Sequence, residues 1–159
     1  MRAWQAMGGM RSRSNWWRAI LPRPRTAITP EVIAGMSGMD RGRLGEDRAV
    51  DRLRADGCRI LGRNRRIAGV EIDVLVRDPR EDLVLVVEVK ASGDGRPPER
   101  RVDAARRRRL VRAAERLGRR HRVAIEVVAV DLRVPGRDGV RRIRLDPADH
   151  AGLGAQRGR

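Results

Sequence analysis

The sequence predicts an α/β fold, a mixed sheet flanked by helices, and three observations carry that prediction. There is no Phe and no Tyr, and the three tryptophans, Trp4, Trp16 and Trp17, lie near the N-terminus. A core must therefore be built from Val, Ile, Leu and Ala. Leu83 to Val87 is an unbroken apolar run and Val123 to Leu132 is rich in valine, as in strands covered by helices on both faces. Two arginine-rich segments carry apolar residues at helical spacing. A chain of 159 residues suffices for one domain with one core.

Taken in order, residues 1–38 mix Arg, Gly, Met, Ser and Pro without period, and Pro22, Pro24 and Pro30 interrupt any long helix. This segment reads as a disordered extension, with at most one amphipathic turn over Asn15 to Leu21. Met36 and Met39 stand just before the first regular element and are candidate translation starts. An intact mass near 17.9 kDa for the native protein would count against that reading. The folded domain is expected over residues 39–150, and the polar, glycine-rich stretch 151–159 reads as a disordered tail.

Asp40 is placed to cap a helix running to Ala55, which Gly57 ends. Glu46, Ala49, Val50 and Leu53 fall on one stripe of it. Glu46 either points inward with that stripe or lies at its edge and reaches water. Arg59 to Leu61 reads as a first strand, followed by the polar run Arg63-Asn64-Arg65-Arg66. Ile67 to Arg77 reads as a second strand, Asp78 to Asp82 as a turn and Leu83 to Lys90 as a third strand, the last two strands forming a hairpin. After a Gly/Pro loop, a second helix is expected from Glu99 to Leu117, with Val102, Ala105, Leu110, Ala113 and Leu117 as its apolar stripe. Arg106 and Arg109 project into that stripe, whereas Arg107, Arg108, Arg112 and Arg116 project toward solvent. An arginine aimed at a core needs an anionic partner; snorkelling past the sheet edge suits Arg109 better than Arg106. Val123 to Leu132 is expected to be a central fourth strand and Val140 to Leu145 a short fifth one at an edge.

The charge balance selects the partner class. A net charge of +16 and a pI of about 11.8 favour a polyanion, nucleic acid ahead of an anionic membrane surface, unless the arginines merely reflect coding bias. One cysteine, Cys58, excludes an internal disulfide and a cysteine-based zinc site and is consistent with a reducing cytoplasm. No apolar run approaches a membrane span, and the arginine-bearing N-terminus lacks the apolar region of a secretory signal.

The informative stretch is Val70 to Lys90. Charges stand inside apolar strands at Glu71, Asp73 and Glu88, and Lys90 is the only lysine among 37 Lys and Arg. Alternation puts Glu71 with Asp73 on one face and Glu88 with Lys90 together. A register facing Asp73 toward Glu88 gathers two carboxylates and an amine, which Glu46 can join from the helix. Such oxygen donors suit Mg²⁺ or Mn²⁺ carrying waters and a substrate phosphate, with Lys90 orienting water or stabilising phosphate charge. Glu71 is a candidate auxiliary acid, and Arg63, Arg65, Arg66, Arg106 and Arg109 are candidates to grip a nucleic-acid backbone. A plain Glu88–Lys90 ion pair at a sheet end is the structural alternative.

The same residues carry a family resemblance. Gly42-Arg43-Leu44-Gly45-Glu46, Ala49, Leu53, Gly57, Ile60-Leu61, Arg63 to Arg66, Glu71-Ile72-Asp73, Val86-Val87-Glu88-Val89-Lys90, Val102, Arg106, Leu110 and Ala113-Ala114 resemble the YraN family of bacterial proteins. The likeness spans residues 40–132. It implies a restriction-endonuclease-like αβββαβ core with a mixed four- to five-stranded sheet. It further implies a PD-(D/E)xK nuclease signature made of Asp73, Glu88 and Lys90, with Glu46 as the helix-borne acid. The arrangement is similar to that of archaeal Holliday-junction resolvases, an analogy of fold. Two positions depart from the family pattern: Val70 stands where a Gly usually precedes Glu-Ile-Asp, and Ala91-Ser92-Gly93 replaces a stretch that usually carries Arg. The first affects the strand's approach to the site and the second a phosphate contact.

Three functions follow. The leading expectation is a Mg²⁺-dependent nuclease acting on DNA, including branched or junction DNA. The second is a non-catalytic nucleic-acid-binding protein on the same fold, and the third a basic partner of ribosomal RNA. The absence of aromatic residues from position 18 onward argues against a base-stacking platform, so backbone-dominated binding of duplex or junction DNA is expected, with a homodimer compatible with two-strand cutting.

Overall fold

The computed structural model describes residues 28–145. The expectations for residues 1–27 and for the tail lie outside the described residues. Along the chain the elements are α1 (Pro30–Gly35), α2 (Gly38–Ala55), β1 (Arg59–Ile67), β2 (Val70–Asp78), β3 (Leu83–Ser92), a 3₁₀ turn (Pro98–Arg101), α3 (Ala104–Gly118), β4 (Val123–Asp131) and β5 (Val140–Leu145). From α2 to β4 the order is αβββαβ.

The strands form one five-stranded sheet in the order β1-β2-β3-β4-β5. Only β3 and β4 run parallel, and the remaining neighbours are antiparallel. A parallel pair needs a crossover, which α3 supplies. The sheet separates two apolar layers. On one face Ala49, Val50 and Leu53 of α2 share a layer with Leu85, Val87 and Val89 of β3. On the other, Leu110 and Ala113 of α3 share a layer with Val86 and Val127. Strand β3 is thus buried on both faces, as its apolar run requires. No helix among the described residues is long and apolar enough to cross a membrane.

Several boundaries differ from the sequence expectation. Folded structure begins before residue 39: α1 places Ile33, 1% exposed, in the core beside α2. The cap of α2 is Ser37, whose hydroxyl accepts from the Asp40 N–H, and Asp40 lies inside the first turn. Arg63 to Arg66 belong to β1, not to a loop. A strand at a sheet edge tolerates polar residues on both faces, so its composition hides it. Ile67 ends β1, and Ala68-Gly69, both at positive φ, make a two-residue hairpin turn before β2. The second helix starts at Ala104, with Asp103 as cap, because Pro98 to Arg101 form the 3₁₀ turn. Val102 is buried ahead of that helix and Ala105 is exposed. The central strand is β3, with β4 beside it; β5 is an edge as expected.

Candidate active site

Strand β2 deforms at Asp73, and this deformation makes the site. The β2–β3 pairing closes at Val74–Val87. Beyond that pair, Val89 donates its N–H to Oδ2 of Asp73 at 2.7 Å. On the other side Asn64, at φ 50°, falls opposite Asp73 between the pairs Arg63–Val74 and Arg65–Ile72. Ile72 and Val74, two residues apart, consequently pack in different apolar layers, which a regular strand does not allow. The strands part there, and a side chain takes the place of a ladder bond.

Four side chains converge in that gap. Glu88 is 1% exposed, so its charge requires partners. Lys90 supplies one, its Nζ 2.6 Å from Oε1. Arg106, reaching in from the first turn of α3, supplies the other, its Nη2 2.5 Å from Oε2. The same Nη2 lies 3.7 Å from Oδ1 of Asp73 and donates to the Glu71 carbonyl at 2.9 Å. Burial pushes the Asp73 carboxyl up from 3.8 to about 6, with the Glu88 charge adding to it. The Val89 N–H, Lys90 and Arg106 act in the opposite direction. The hydrogen bond to Glu88 holds the Arg106 guanidinium above its ordinary range, against its own desolvation.

These groups face an open cleft of about 350 Å³. Glu71 and Asp103 complete its acidic lining, and Arg101 and Arg109 its basic lining. Four carboxylates thus meet four cations, and the formal charge of the cleft cancels in a chain of net charge +16. Sequence reasoning missed Asp103 and Arg101. The available signal was Asp103 as the cap of α3, which puts it and the helix start at the cleft.

The sequence-predicted residues divide accordingly. Asp73, Glu88, Lys90, Arg106, Glu71 and Arg109 come together at the cleft. Glu46 does not line it: it sits on α2, which packs on the opposite sheet face, and its carboxylate pairs with Arg63 at 3.2 Å. Arg63 also holds Asp47 at 2.6 Å, so its guanidinium is engaged within the fold. Arg65 and Arg66 are exposed on β1.

Among the described residues no three or more Asp, Glu, His or Cys gather as a metal-binding set. The donor chemistry of the cleft nevertheless fits a magnesium ion that retains waters and takes ligands from one or two carboxylates and a phosphate. One guanidinium nitrogen lies 3.7 Å from Asp73 and 2.5 Å from Glu88, so a single cationic group bridges the two carboxylates.

The model of the uncharacterised protein family UPF0102 matches residues 45–130. The chain belongs to this family. UPF0102 is the YraN family that the sequence motifs resemble, and the matched span contains every residue that lines the cleft. The UPF0102 protein of Solibacter usitatus (strain Ellin6076) is 41% identical over 95 residues, which cover 58% of this chain and 72% of the relative. That of Pelobacter propionicus (strain DSM 2379 / NBRC 103807 / OttBd1) is 33% identical over 122 residues, 72% of this chain and 87% of the relative. The UPF0102 protein of Azorhizobium caulinodans is 32% identical over 120 residues, covering 75% and 90%.

Proposed function

We propose that this UPF0102 protein is a Mg²⁺-dependent nuclease that hydrolyses phosphodiester bonds in DNA on a restriction-endonuclease-like core. One observation carries the reading: Asp73, Glu88 and Lys90 meet in an open cleft where β2 and β3 part, with both carboxylates in reach of one cation. Asp73 and Glu88 are the residues that would hold Mg²⁺. When bound, Mg²⁺ supplies neutralisation of phosphate charge and acidification of water.

The protein's own groups do the positioning. Val89 N–H fixes one oxygen of Asp73, and the other lies on the Arg106 side of the cleft. Lys90 spends one N–H on Glu88 and has two more donors to orient an attacking water or to hold a non-bridging phosphate oxygen. Arg106 would exchange its carboxylate contacts for substrate phosphate, whose geometry its planar fork matches. A lysine suits the first task because its compact ammonium fits between Glu88 and the cleft, where a guanidinium is wider and fixed in plane.

The test is a panel of end-labelled duplex, flap, fork and four-way DNA, incubated with Mg²⁺ or Mn²⁺. Cleavage of at least one substrate is expected, falling roughly 10²-fold or more in Asp73→Asn and in Lys90→Ala. Binding without cleavage of any substrate would instead assign the protein to non-catalytic nucleic-acid binding on the same fold.

A further inference from the structure

Among the described residues, net positive charge is shared unevenly between the two long helices. Helix α2 carries five arginines and four acids, a net of +1, and α3 carries six arginines and one acid, Glu115, a net of +5. The arginine counts are similar, so the difference lies in the acids that α3 lacks. On α3, Arg108, Arg109, Arg112 and Arg116 are exposed, and none has an ion-pair or side-chain hydrogen-bond partner among the described residues. Arg108, Arg112 and Arg116 follow one another at i, i+4 and i+8, so like charges stack along one face. That arrangement destabilises an isolated helix, and the basic cluster near the helix N-terminus opposes the macrodipole as well. A helix built this way carries a repulsion that a polyanion relieves.

The face also has a direction. Arg109 lines the candidate active-site cleft at one end. Beyond the other end, Arg120, His121 and Arg122 line a second open groove of about 450 Å³ with Gly118 and with Arg77, which is paired with Asp82. Arg108 to Arg116 span about 12 Å at 1.5 Å per residue, the axial length of roughly four phosphates on one strand of duplex DNA. The described residues contain no Phe, Tyr or Trp on which a base could stack, which favours a duplex over a single strand.

We infer that the outer face of α3, from Arg108 to Arg116, is the docking surface for the phosphate backbone of a DNA duplex arm, which it guides into the Asp73–Glu88–Lys90 cleft. The choice of DNA rests on the proposed function; the polyanion-binding face rests on α3 alone. Arg106 and Arg109 contact the backbone at the cleft, and Arg112 and Arg116 hold the arm that leads away from it.

The experiment is fluorescence anisotropy with a labelled 20-base-pair duplex in EDTA across a salt series, joined to thermal melts without DNA. Three proteins are compared: wild type, Arg112→Gln/Arg116→Gln and Arg43→Gln/Arg54→Gln. The two double variants lose equal charge, but the second loses it from α2. We expect the α3 variant to bind about tenfold more weakly, its salt slope shallower by about two, and to melt higher than wild type because the helix repulsion is gone. The α2 variant should bind as wild type. Equal losses in both double variants, an unchanged salt slope in the α3 variant, or tighter binding to phosphatidylserine vesicles than to duplex would each overturn the assignment. Absence of cleavage with the α3 effect intact would contradict the nuclease reading alone.

Discussion

At the scale of single residues, Asp73 shows what the site costs the fold. Its carboxyl is half-buried beside Glu88 and raised from 3.8 to about 6. A carboxyl raised on folding binds its proton more tightly in the native state, so its contribution to stability falls as pH rises from about 4 to about 6 and is flat above. Asp73→Asn removes that penalty and keeps an oxygen for the Val89 N–H. We expect the variant to exceed wild type by on the order of 1–2 kcal/mol at pH 7, with the gain shrinking toward pH 4. Urea unfolding at the two pH values checks it, and an equal or absent gain at both would contradict it. Asp73, Glu88 and Lys90 were legible in the sequence because charges inside apolar strands stand out; the deformation of β2 at Asp73 was not, since alternation assumes a regular strand. Arg106 was legible because a helical projection gives its direction. The place of Glu46 was not, since a stripe says that a side chain points inward but not against which face of the sheet, and the neighbour Arg63 could not be foreseen.

At the scale of elements, the position of α2 is set by contact distance. A Cβ added to Gly45 would stand 2.5 Å from Cβ of Ala91, whereas one added to Gly42 would meet nothing within 4 Å. Gly45 is therefore what lets α2 lie close on β3, and Gly42 faces open space in the same helix. We expect Gly45→Ala to lose about 1–3 kcal/mol through overpacking and Gly42→Ala to gain roughly 0.5–1 kcal/mol of helix propensity. Denaturant midpoints of the two variants should move in opposite directions; a shift of the same sign would refute the close-approach explanation. The hairpin of β2 and β3 followed from pattern and turn chemistry, and the αβββαβ order from the family resemblance. The extent of β1 did not, because its polar residues look like a loop, and the 3₁₀ turn before α3 shares the arginine-rich composition of the helix it precedes.

At the scale of the molecule, two ionic centres occupy different parts of the sheet. The cleft groups surround Glu88, while Glu126, 4% exposed, is held by Arg142 at 2.9 Å and Arg144 at 2.9 Å, with Arg142 also on Asp56 at 3.1 Å. The second centre ties β4 and β5 to the end of α2 and is engaged within the protein. The first is open, neutral, and bridged by an arginine between two carboxylates, an arrangement that a divalent cation could take over. Net charge favours a polyanion but gives no position for one; only the fold separates the paired arginines from the outer face of α3. The most direct test is isothermal titration of Mn²⁺ into wild type, Asp73→Asn and Arg106→Gln without DNA. We expect one saturable site in wild type, its loss in Asp73→Asn, and about tenfold tighter binding in Arg106→Gln, where the competing guanidinium is gone. No saturable binding to wild type at millimolar Mn²⁺, or binding indifferent to Asp73, would contradict a metal-dependent site between β2 and β3.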